Sequence, residues 1–248
     1  MRSLVWQGDT LIDWVDGGRE IALDGEIRPS HVRYAYTFDA AAASPSGAFA
    51  AIYETLGTKG LILRDGKILR EINRSYYQAD AYEYPIALIR LASGREVIVH
   101  CPDHYNQIEI DDLATGERLT GAMDRDPSDC FHARLAASPD GKYLVSAGWL
   151  WHPVDTVRLY DLAAALADPR HLDGEGLGID AWAEDSSAAF LADGRLAVDL
   201  VELEVDEETP DAPREALRLF DPARPDAPQV IRRDERLGTM MAVGEHHL

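Results

Sequence analysis

The chain has two cysteines, and each has histidine close by, in His100-Cys101-Pro-Asp-His104 and Cys130-Phe-His132. Thiolate and imidazole are the ligands of a tetrahedral zinc centre, so Cys101, His104, Cys130 and His132 are the candidate metal ligands. Neither pair has the spacing of a zinc finger or ribbon, and cysteine serves as readily as a small buried hydrophobe, so the expectation is a chain without metal or other cofactor. The sequence has no Gly-x-Ser-x-Gly elbow, no His-Glu-x-x-His pair and no glycine-rich phosphate loop. It does carry many tyrosines, tryptophans and carboxylates, the first two being the side chains that anchor protein interfaces.

Such side chains have to be held by a scaffold, and the scaffold is repetitive. Ser44-Pro-Ser-Gly47, Leu91-Ala-Ser-Gly94, Ser138-Pro-Asp-Gly141 and Leu191-Ala-Asp-Gly194 place their glycines 47, 47 and 53 residues apart. Each reads as a turn between two short apolar strands, because Pro presets φ and Gly accepts positive φ. A second ladder closes the strands Leu11–Val15, Leu61–Arg64, Ile108–Asp111, Val157–Tyr160 and Leu217–Phe220 with Asp16, Asp65, Asp112, Asp161 and Asp221. Two ladders sharing a period in the forties, with several strands in each period, predict an all-β propeller. Leu162-Ala-Ala-Ala-Leu-Ala167 has helical composition, and Asp206-Glu-Glu-Thr-Pro-Asp-Ala-Pro213 reads as an exposed loop.

Composition narrows the function. The 248 residues carry a net charge of −20, and lysine occurs only at Lys59, Lys67 and Lys142. An acidic surface repels phosphate backbones, which argues against nucleic acid, and suits a basic protein partner. No apolar run reaches membrane-spanning length, and the first residues turn polar too early for a signal peptide. With no disulfide framework either, the expectation is a cytoplasmic protein folded as one domain over residues 1–248.

The stretch Leu135-Ala-Ala-Ser-Pro-Asp-Gly-Lys-Tyr-Leu-Val-Ser-Ala-Gly148, followed by Asp155-Thr-Val-Arg-Leu-Tyr-Asp-Leu162, resembles one repeat of the WD-repeat β-propeller family, with Tyr160-Asp161 where the family usually has Trp-Asp. The Gly-His pair that precedes the family's inner strand is absent, and Asp80-Ala81 and Asp180-Ala181 stand at about that offset. The resemblance implies about five four-stranded blades and a tendency towards partner binding. Residues 2–23 supply three strands and no inner one. Thr239–Gly244 reads as an inner strand, so pairing of the two ends would close a five-bladed ring. The alternative is a truncated or open propeller of six or seven blades.

The family scheme also gathers loops on one face. It brings Tyr34, Tyr36, Tyr76, Tyr77, Tyr82, Tyr84, Phe131 and Trp182 from the inter-blade connections, and His104, Tyr105, Trp149, Trp151 and His152 from the loops before the third strands. Glu207 and Glu208 belong to the same face. The expected partner-binding set is therefore Tyr82, Tyr105, Trp149, Trp151, His152, Trp182, Glu207 and Glu208, suited to Lys or Arg through ion pairing and cation–π contact. Against this, Asp80-Ala-Tyr82, Asp129-Cys-Phe131 and Asp180-Ala-Trp182 recur, as aromatics packed between blades would. The expectation is a non-enzymatic protein-interaction module. The alternative is a glycosidase-like hydrolase, since five-bladed propellers include glycoside hydrolases and Asp39, Asp80, Asp129 and Asp180 fall near the mouth of the channel.

Overall fold

The computed structural model describes residues 3–121, 123–151, 154–177, 182–202, 215–233 and 237–241, with the backbone alone described at 182–186, 200–202 and 215. Among these residues the chain is almost entirely β, and it divides into two compact units: Met1–Tyr105 with Glu109–Arg118, and Asn106–Ile108 with Leu119–Leu248.

In the first unit, β1 (Leu4–Gln7), β2 (Thr10–Asp13), β3 (Arg19–Ala22) and β4 (Ile27–Arg28) form one antiparallel meander. A second meander contains β5 (Ala40–Ala43), β6 (Phe49–Tyr53), β7 (Lys59–Arg64) and β8 (Lys67–Asn73). The third sheet has β9 (Ile86–Arg90), β10 (Glu96–His100) and β11 (Glu109–Asp112), and a single Asp111–Arg118 bridge stands in for its outer strand.

The second sheet is covered on both faces, and its sequence shows why. Alternate residues of a strand point to opposite faces. In β6, Ala50 and Ile52 join Ile12, Trp14 and Phe38, whereas Phe49 and Ala51 join Tyr84, Ile86, Leu88 and Ile98. In β7, Leu63 takes the first side and Ile62 the second. A strand buried on both faces must be apolar throughout, and Phe-Ala-Ala-Ile satisfies that.

The second unit contains β12 (Ala136–Ala137), β13 (Tyr143–Trp151), β14 (Val154–Asp161), β15 (Trp182–Phe190), β16 (Leu196–Glu202), β17 (Glu215–Asp221) and β18 (Arg224–Arg232). They form one continuous seven-stranded sheet in chain order, joined at its middle only by Asp155–Ala183 and Thr156–Trp182. Val145, Ala147, Val157 and Leu159 of β13 and β14 pack on Phe190, Leu196, Val198 and Phe220, so the unit is two blades around one core. Helix α1 (Leu162–Ala167) is N-capped by Asp161, whose carboxylate accepts from the Ala163 and Ala164 amides. Beyond it, Gly176 pairs in parallel with Leu159 and supplies the outer edge. Its Cβ position would overlap the Leu159 carbonyl, so only glycine fits there.

Both ladders are built as turns. Gly47, Gly94, Gly141 and Gly194 all have positive φ, and each amide donates to the carbonyl three residues earlier at 2.8 to 3.0 Å. Asp112, Asp161 and Asp221 each accept a backbone amide two or three residues on. Asp65, at φ 49° before Gly66 at φ 73°, makes the hairpin from β7 to β8. The first rung differs. Asp13 is the acceptor there, taking the Asp16 amide at 3.1 Å, so the cap sits one turn earlier than the ladder predicts. Residues 242–244, half of the segment expected to close the ring, lie outside the described residues. In the part described, the Met240 amide donates to Ser187 Oγ of β15 at 2.9 Å.

Candidate functional site

In the first unit the chain leaves β8 at Arg74 and reaches β9 through residues 75–85. Arg74 is 3% exposed. Its Nε donates to Gly57 O at 2.7 Å, and Nη2 donates to Ala79 O at 2.6 Å and Tyr82 O at 3.1 Å. The guanidinium lies over the rings of Tyr82 (4.5 Å) and Tyr84 (4.9 Å). A buried cation held by neutral carbonyls is costly unless its donors are used, and here Nε and Nη2 are used and tie the connection down at Ala79 and Tyr82. Burial pushes the Tyr82 hydroxyl up to about 12 and raises Tyr84 further, despite the cation beside them. Burial also lowers Arg74 from its usual range.

Tyr82, expected on the binding face, is therefore a core residue, 5% exposed. Phe131, at the corresponding place in the second unit, is buried too. The loop above Arg74 turns the other way. It is closed by Ala79 N to Tyr76 O (3.2 Å) and Ala81 N to Gln78 O (2.9 Å), with Gln78 at φ 53°. This leaves Tyr76 81% and Tyr77 55% exposed. The Tyr77 ring stands 5.0 Å from that of half-buried Tyr105. Beside Tyr105, His104 is exposed, and Asp103 accepts from Arg118 Nη1 at 2.6 Å. Arg118 Nε also reaches Asp111, which takes His100 Nε2 at 3.0 Å through its other oxygen. Burial opposes that carboxylate, but His100 and Arg118 keep it below the usual range.

In the second unit, Phe131 and Trp149 exchange backbone hydrogen bonds of 2.7 and 2.9 Å and bring their rings to 4.7 Å. Gly148 permits the approach, since a Cβ there would stand 2.5 Å from Phe131 O. Between Trp149 and Trp151 the register with β14 slips, so Leu150 bulges and packs on Cys130 and Val154. Bulges re-aim side chains. Trp149 stays half-buried, while Trp151 is 60% exposed. Trp182 is the first residue of β15, opposite Thr156, and its side chain lies outside the described residues, as do His152, Glu207 and Glu208.

Three of the four candidate metal ligands, Cys101, Cys130 and His132, are buried in packed positions, and His104 is exposed. Cys101 and Cys130 are buried thiols outside any disulfide, and burial pushes Cys130 up to about 11. His132 is fully enclosed, shares a 3.0 Å hydrogen bond with Ser146 Oγ, and is pulled down to about 3 by burial and then by the Arg158 charge. Among the described residues no three His, Cys, Asp or Glu side chains converge as metal ligands would. Of the channel carboxylates, Asp39 accepts both the amide and the hydroxyl of Thr55 (2.7 and 2.8 Å), Asp80 and Asp129 are exposed, and Asp180 is outside the described residues.

Two arginines escaped the sequence reading. Arg74 gave no signal beyond standing at a strand end. Arg134, at φ 45°, donates from Nε to Ala147 O at 3.0 Å and pairs with Asp155 at 3.3 Å, so its side chain fills the gap between the Phe131 bridge and β12.

No protein-family model matches the chain, and no curated protein sequence does. Solved structures are similar. The β-propeller domain of Cps50 (Swd1) from Myceliophteria thermophila aligns over 97% of this chain and 76% of its own, with 16% identity and a TM-score of 0.56. Dihydro-heme d1 dehydrogenase NirN, in complex with DHE, aligns over 90% of this chain with 13% identity and a TM-score of 0.53. This chain spans only 42% of NirN. At these identities the likeness concerns the fold alone: the chain is an all-β propeller of about five blades.

Proposed function

We propose that the chain is a non-enzymatic, WD-repeat-like protein-interaction module that works in the cytoplasm and binds another protein through its loop residues. The observation that carries this reading is Trp151, 60% exposed at the end of a nine-residue strand whose other apolar residues are mostly buried. An exposed tryptophan beside a bulge, mounted on a rigid sheet, is the kind of side chain that supplies most of an interface's binding energy. Trp149, His152, Trp182, Glu207 and Glu208 belong to the proposed face by sequence position. Of the carboxylates in the rival hydrolase reading, Asp39 takes two donors from Thr55 on one oxygen, and Asp80 and Asp129 are exposed.

The test is affinity capture from native lysate on the purified chain, with a Trp149→Ala/Trp151→Ala variant as control. A protein retained by the wild type and lost by the variant supports the reading. Equal background on both sinks it, and turnover assays on Asp39→Asn and Asp129→Asn variants then become the next step.

A further inference from the structure

We infer that residues 75–84 and 101–105 of the first unit form a docking site for an arginine-bearing segment of another protein. The inference rests on the interaction-module reading above and names a site and a ligand chemistry for it. Tyr76 and Tyr77 present their rings to solvent, and Tyr77 is continued by Tyr105 5.0 Å away. These two segments contain Asp80, Glu83 and Asp103, and neither contains lysine or arginine. Asp103 already has Arg118, and Asp80 is exposed three residues after Tyr77 in the same turn. Aromatic faces beside carboxylates attract a cation and repel phosphate. A guanidinium fits better than an ammonium, because it is planar, weakly hydrated, and able to stack on a ring while pairing bidentately with a carboxylate.

Arg74 is the positioning residue of this site. It touches no partner, but its bonds to Ala79 O and Tyr82 O hold the loop from beneath. The exposed tyrosines are thereby ordered before anything binds, which removes an entropic cost that a floppy loop would carry.

The test uses the full chain with ring-labelled tyrosine, observed by NMR at about 0.15 M salt. The probe is a short peptide with two arginines spaced by glycine, alongside a twin bearing citrulline at both places. The tyrosine signals that disappear in Tyr76→Ala, Tyr77→Ala and Tyr105→Phe identify the three rings. The expected result is a saturable shift of those rings with the arginine peptide and none with its twin. The Tyr76→Ala/Tyr77→Ala double variant, whose folding should be intact because both rings are exposed, should bind roughly tenfold more weakly. Arg74→Lys should weaken binding and speed amide exchange at Ala79 and Ala81, an effect on the loop that a residue touching the partner would not produce. Uniform, non-saturating shifts, or equal binding by the double variant, would overturn the inference. If the variant still retains the captured partner and Trp149→Ala/Trp151→Ala does not, only this site falls. If neither peptide nor lysate protein is bound, the interaction reading falls with it.

Discussion

Arg74 and His132 illustrate what burial does to a charge that cannot leave and to one that can. Arg74 stays protonated, and its Nε and Nη2 donate to four carbonyls from two segments. Arg74→Met leaves those carbonyls without a donor and should cost about 3 kcal/mol in urea unfolding, with Arg74→Lys recovering only part. His132 instead gives up its proton, held at about 3 by burial and the nearby Arg158. An unfolded histidine titrates near 6.5, so between about 6.5 and 3 the unfolded chain binds a proton that the folded chain refuses. Stability should therefore fall as pH drops through that window, by up to about 1.4 kcal/mol per unit from this group. His132→Gln should be less stable at pH 7 and show a shallower decline towards pH 5. Parallel profiles for the two proteins would contradict the assignment. Asp112 has the opposite sign of charge and a later window. Burial works against its carboxylate, but Arg95 and Thr115 hold it down to about 2. Its contribution is complete above about pH 4 and lost as pH falls from there towards 2. Asp112→Asn should flatten the acid limb of the unfolding curve, a loss of about 1 kcal/mol given the exposure of Arg95.

At the scale of the element, the turn glycines were legible and the packing glycines were not. Gly94 follows from its turn, has φ 85° and faces open space, so Gly94→Ala should cost about 1 kcal/mol of backbone strain alone. Gly148 sits inside a strand, where sequence gives no reason for glycine. Its role comes from Phe131, seventeen residues away along the chain, whose carbonyl stands where a Cβ would go. Gly148→Ala should cost about 2 kcal/mol and speed amide exchange at Phe131 and Trp149. The same limit explains the aromatics. Tyr77 and Tyr82 lie in one short connection, and no periodicity separates exposed from buried outside a strand; Arg74 beneath the loop decides it. The outer edge at Gly176 was likewise invisible, because it depends on a single pairing with Leu159, and so was the bulge at Leu150, which depends on a one-residue slip against β14.

At the scale of the molecule, repetition carried the fold even though its letters have drifted. Turn glycines, capping aspartates and doubly apolar strands are requirements of the architecture, and a similar propeller shares that architecture at only 16% identity. Function has no such repetition to reveal it. The proposed partner is basic because the net charge is −20, and attraction of that kind should weaken as salt rises. The most direct measurement is amide hydrogen exchange across the full chain, with and without the protein captured from lysate. Protection concentrated in 75–84, 101–105 and 149–151 is the result this account predicts. Protection confined to the opposite ends of the strands, around Gly47, Gly94, Gly141 and Gly194, would contradict it.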